Sequence, residues 1–81
     1  MSDRLVRIRS VREYLAASLK AGNIAVVDEA IAELREALRV YYKVMARELN
    51  ATELEQLNAE HLSEVMAAFK ARAELTRRRL S

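Results

Sequence analysis

The sequence predicts an all-α fold: a three-helix antiparallel bundle with a short helix 1 and a long helix 2–helix 3 hairpin. Three observations predict it. Among 81 residues proline is absent and glycine occurs once, so the strongest breakers of regular structure are almost missing. Alanine, leucine, glutamate and arginine dominate, and all are good helix formers. Apolar residues recur at steps of three and four, the period of one helix face. A chain of this length makes one domain, residues 1–81.

The first helix is expected over residues 3–20. Ser2 can cap it, and Asp3 sits favourably in its first turn. Leu5, Ile8, Val11, Leu15 and Leu19 form its apolar stripe. Gly22 suits a left-handed position just past the helix end, and Asn23 can cap the next helix. That second helix is expected over residues 24–48. One stripe, Val27, Ile31, Leu34, Leu38, Tyr41 and Met45, steps like a heptad seam. A second stripe, Val26, Ala30, Ala37, Val40 and Val44, makes the apolar surface wide enough to need more than one neighbour.

The third helix is expected over residues 51–78. Asn50 can cap it, Glu53 can close a capping box, and Leu49 can staple onto Leu54. So short a connection makes helices 2 and 3 an antiparallel hairpin. Its core positions are predicted to be Leu54, Leu57 or Asn58, Leu62, Val65, Phe69, Ala73 and Leu80, with Thr76 to Ser81 fraying. A single rod running through Ala51 is the alternative. Asn50, a poor interior residue, argues against it.

Composition excludes several classes of function. With no cysteine and one histidine, neither disulfides nor a structural zinc site is expected. His61 and Glu64 share a helix face, but a carboxylate-bridged metal site needs a second such pair, so no metal and no cofactor are expected. No catalytic set is visible, so the chain is not expected to be an enzyme or to bind a small-molecule substrate. No apolar run approaches the ~20 residues that span a bilayer. No signal-peptide core follows the N-terminus, which suggests a cytoplasmic location.

Two surfaces remain as candidate sites. At ~1.5 Å per residue the predicted helices span roughly 27, 38 and 42 Å. A short first helix would then leave the far end of the hairpin unroofed. Tyr42, Met45, Leu49, Leu54 and Leu57 would there supply apolar anchors for a protein partner or a second copy, with Arg47, Glu48 and Glu53 as a polar rim. The second surface is electrostatic. Residues 1–20 carry +3, residues 21–69 carry −5 and residues 70–81 carry +4. Arg4, Arg7 and Arg12, with Arg77, Arg78 and Arg79, could therefore bind nucleic-acid phosphates. The leading expectation is a small helical adaptor or chaperone, homodimeric or bound to a partner helix. A nucleic-acid-binding regulator is the alternative.

The run Ser18-Leu19-Lys20-Ala21-Gly22-Asn23, followed by Val27-Asp28-Glu29-Ala30-Ile31, resembles the first turn region of FliT-type flagellar export chaperones. Leu49-Asn50-Ala51-Thr52-Glu53-Leu54 resembles their inter-helix turn. The resemblance covers about half the chain. It implies a secretion chaperone that shields an amphipathic helix of its client, and it assigns no site residue.

Overall fold

A computed structural model describes residues 3–80. Ser2, the cap proposed for the first helix, and Ser81 lie outside the described residues. The described chain folds as three helices and no strand: α1 (Asp3–Ala21), α2 (Ile24–Met45) and α3 (Ala51–Leu80).

Each turn is built by local chemistry. Gly22 adopts φ 75°, the left-handed region. Its N–H donates to the Leu19 carbonyl at 3.2 Å, and the Asn23 N–H donates to the Ser18 carbonyl at 3.4 Å. Together these close the end of α1 in a Schellman arrangement. The Asn23 side chain then accepts from the Val26 N–H at 3.2 Å, capping α2. A Cβ at Gly22 would lie 3.9 Å from Leu75 Cδ1, an ordinary contact, so backbone conformation rather than space restricts this position. Gly22→Ala is accordingly expected to cost about 1–2 kcal/mol. A chemical-denaturation midpoint indistinguishable from that of the parent chain would contradict it.

The second turn separates α2 from α3, so the two are not one rod. Asn50 Oδ1 accepts from the Glu53 N–H at 2.9 Å, and Glu53 Oε1 accepts from the Asn50 N–H at 3.1 Å. This reciprocal pair satisfies two donors that a helix start leaves open. α2 itself stops at Met45, three residues before the predicted Glu48. There the backbone tightens: the Arg47 N–H donates to Val44 and the Glu48 N–H to Met45, both three residues back. Such bonds consume the last carbonyls of a helix and end it.

α2 is the central helix. Val27, Ala30, Ile31, Leu34, Ala37 and Leu38 are buried along it, and Leu34 and Val27 are the largest side chains fully removed from solvent. α1 packs on α2 through Ile8, Val11 and Leu15, but Leu5, assigned to its inner stripe by sequence, is exposed. Ser18 is buried beside them, and its hydroxyl donates to the Leu15 carbonyl at 2.9 Å. That bond removes the cost of burying the hydroxyl.

α3 runs antiparallel to α2 and parallel to α1. The bidentate Arg12–Glu64 pair ties α1 to the middle of α3 at 2.6 Å. Arg72 holds Asp28 of α2 with two hydrogen bonds, and Arg79 donates to the Gly22 carbonyl at 3.3 Å. α1 and α3 otherwise touch little, so the bundle is flattened, with extents of 47 × 23 × 14 Å.

The rotation of α3 differs from the sequence prediction. Its buried residues are Ala68 and Leu75, with Leu54, Leu57, His61 and Val65 half-buried. Leu62, Phe69, Ala73 and Leu80, predicted as core, are exposed. The ion pairs agree with this rotation. Glu64 and Arg72 lie about 40° to either side of Ala68 on the helix circumference. One reaches α1 and the other α2, so Ala68 must point between those two helices. Small Ala68 also lets α3 approach α2 closely, where Phe69 would hold it off.

Candidate functional site

An open groove of about 830 Å³ runs between α2 and α3. Ala32, Arg35, Glu36, Leu38, Arg39 and Tyr42 form its α2 wall, and Asn58, His61, Leu62, Val65 and Phe69 its α3 wall. The flattened bundle explains why it is open. α1 sits on the side of α3 marked by Glu64, and the groove lies on the other side, where no third helix covers it.

The outward seam of α3 borders this groove. Ala59, Leu62, Met66, Phe69 and Ala73 are all exposed and follow one another at steps of three and four. Leu62 is 56% exposed, Met66 69% and Phe69 45%, values unusual for large apolar side chains placed side by side. The chain as a whole exposes 5910 Å². A compact monomer of this mass exposes about 4,900 Å². The excess accompanies the flattened shape of the bundle.

The site predicted from sequence sits elsewhere. Tyr42, Met45, Leu49, Leu54 and Leu57 are all half-buried, and none belongs to the exposed apolar set. Tyr42 alone among them lines the groove. The predicted gap rests on unequal helices: α1 has 19 residues, α2 22, because it ends at Met45, and α3 30. Arg47, Glu48 and Glu53, the proposed rim, are exposed at that tip.

The arginines of the electrostatic alternative are not gathered into one surface. α1 and α3 run parallel, so Arg4 and Arg7 lie at the end opposite Arg77, Arg78 and Arg79. Arg12 is already committed to Glu64 and Arg79 to the Gly22 carbonyl.

His61 is packed between two tyrosines, 6.0 Å from Tyr41 and 6.2 Å from Tyr42 between ring centroids. Among the described residues no group of three or more His, Asp or Glu could hold a metal ion. Partial burial holds the His61 pKa below its ordinary 6.5, although Glu64 and Glu60 pull it upward. A depressed folded value means the fold favours neutral imidazole. The resulting stability is complete above 6.5 and is lost as pH falls from there through the folded value. His61→Gln is expected to abolish that step. It should spare the separate loss below 3.8, where Asp28, held low by its hydrogen bonds to Arg72, becomes protonated. Urea midpoints of both chains across this range check it, and an unchanged step in the variant would contradict it.

No family model matches the chain, and neither the curated proteins nor the solved structures yield a match. The function is therefore argued from the groove alone. No helix among the described residues is long and apolar enough to cross a membrane.

The seam was missed in the sequence because its members have the spacing of a core. Leu62, Phe69 and Ala73 are among the predicted core positions, and Ala59 and Met66 are not. The available signal was that α3 carries two apolar seams, Leu54-Leu57-His61-Ala68-Leu75 and Leu62-Met66-Phe69-Ala73, where a three-helix bundle needs only one.

Proposed function

We propose that the chain is a small helical adaptor that binds an amphipathic protein helix in the α2–α3 groove. The observation that carries this reading is the run of exposed Leu62, Met66 and Phe69 bordering an open channel. Contiguous apolar surface of this kind on a folded domain marks an interaction site. A helix laid in such a groove buries its own apolar stripe at spacings of three and four, matching the seam. Tyr42, Val65 and Leu38 form the groove's floor and walls, while Arg35 and Arg39 give it a polar edge. Shielding a client's amphipathic helix, the activity implied by the resemblance to export chaperones, is the same physical act.

The test is fluorescence anisotropy of a labelled amphipathic peptide of about 20 residues with leucine at the heptad seam positions. The full chain is expected to bind it. Met66→Asp with Phe69→Asp is expected to weaken binding at least tenfold, since charges then line the site where apolar anchors stood. The two substituted side chains are exposed, so the variant should keep its far-ultraviolet helical signal. Equal binding by the two chains would contradict the proposal.

A further inference from the structure

We propose that the helix received by this groove is acidic, with an apolar stripe flanked on both sides by aspartate or glutamate. The inference rests on the groove reading above and names the chemistry of the partner.

The observation that carries it is an imbalance of unpaired charge around the seam. Arg35, Lys70 and Arg77 are exposed. None of the three makes a hydrogen bond or ion pair with any described residue. Arg35 stands on the α2 wall of the groove. The Arg72–Asp28 pair sets the register of the two antiparallel helices. Arg35 lies seven residues after Asp28, and Val65 seven before Arg72, so the two are level and Arg35 falls between Leu62 and Phe69 along the groove. Lys70 and Arg77 border the other side of the seam. They project within about 70° of the midline of Leu62, Met66, Phe69 and Ala73, on the side away from α2.

The acids beside the groove are already engaged. Glu36 holds Arg39, and Asp28 holds Arg72. Glu55 shares the outer face of α3 but stands about two turns before Leu62, outside the stretch that the three cations flank. Glu74 lies about 110° from the seam's midline, further round than Lys70. What folding leaves unneutralised along both edges is therefore positive. A helix with carboxylates on its two flanks complements those edges while its apolar stripe covers Leu62, Met66 and Phe69. Lysines on the same flanks would set like charge against like. The apolar contacts anchor the partner, and the edge charges decide between candidate helices.

Fluorescence anisotropy with three labelled peptides of about 20 residues tests the partner's chemistry. All three carry leucine at the same seam positions. They differ only at the flanking positions, which hold glutamate, glutamine or lysine. At about 50 mM sodium chloride the full chain is expected to bind the glutamate peptide at least fivefold more tightly than the lysine peptide, with the glutamine peptide between them. The preference should shrink as salt rises to about 500 mM, because screening weakens exposed charge pairs. Arg35→Glu with Lys70→Glu is expected to reverse the order of the glutamate and lysine peptides and to leave glutamine-peptide binding within about twofold. Both replaced side chains are exposed and unpaired, so the helical signal should be kept. Equal binding of the glutamate and lysine peptides, or an order that survives the charge reversal, would overturn the acidic partner. Equal binding that is still lost in Met66→Asp with Phe69→Asp leaves the adaptor reading standing, and absent binding of every peptide removes that reading as well. A chain that sediments at twice its 9.2 kDa mass and yields its groove to no peptide is its own occupant, and that result would also overturn the acidic partner.

Discussion

Ala68→Asp is expected to unfold the chain, whereas Phe69→Asp, one position further along, is expected to leave it folded. Residue size suggests the reverse, because alanine is the smaller loss. Burial decides it. Ala68 is 6% exposed and points between α1 and α2, so an aspartate there would be a carboxylate without a partner in an apolar core. Taking such a charge out of water costs several kcal/mol. A domain of this size has total stability of about 5–10 kcal/mol, so that loss removes most of it. Phe69 faces the open side of α3, where an aspartate stays hydrated. Helical signal at room temperature distinguishes the two variants. A folded Ala68→Asp chain together with an unfolded Phe69→Asp chain would show that α3 is rotated the other way.

Leu34→Ala is expected to be the most damaging apolar truncation, costing about 2–5 kcal/mol. Leu34 is 1% exposed on the central helix, among Ile31, Ala37 and Leu38. The bundle is flattened, but α2 packs against both α1 and α3. The lost methyl groups would leave a cavity that the surrounding helices close only in part. The urea midpoint should fall far more than for Leu62→Ala, whose side chain is mostly in solvent already. Equal losses for the two would contradict the assignment of the core to α2.

Much of this architecture is legible in the sequence, and the reasons are local. Gly22 next to Asn23 states where α1 ends and α2 begins, because few other residues tolerate the left-handed conformation and none caps better. Asn50 with Glu53 states where α3 starts for a similar reason. The width of the α2 apolar surface shows that this helix has neighbours on more than one side. The rotation of α3 is not legible by the same means. Two seams of equivalent period run along it, and periodicity alone does not say which is inside. Weighing residues by size selects Leu62 and Phe69, while the structure selects Ala68 and Leu75. Glu64 and Arg72, with partners on two different helices, fit that selection. Such long-range pairing has no signature in the local pattern.

The groove beside α3 is hard to read from the sequence for a related reason. The expectation of a site at the hairpin tip rests on α2 reaching Glu48, whereas the tightened turn after Met45 makes α2 nearly equal to α1. Exposed Leu62, Met66 and Phe69 lie along the side of the bundle. Their placement follows from the flattened cross-section, which no count of helix lengths reveals.

The outer seam of α3 is the proposed binding surface for an amphipathic helix. The most direct measurement follows the methyl resonance of Met66 as the amphipathic peptide is titrated in, with Met45 as the internal control. The account predicts that the Met66 signal moves with peptide concentration while Met45, half-buried at the end of α2, stays in place. A Met66 signal that keeps the position of a freely hydrated methyl at every peptide concentration would contradict it.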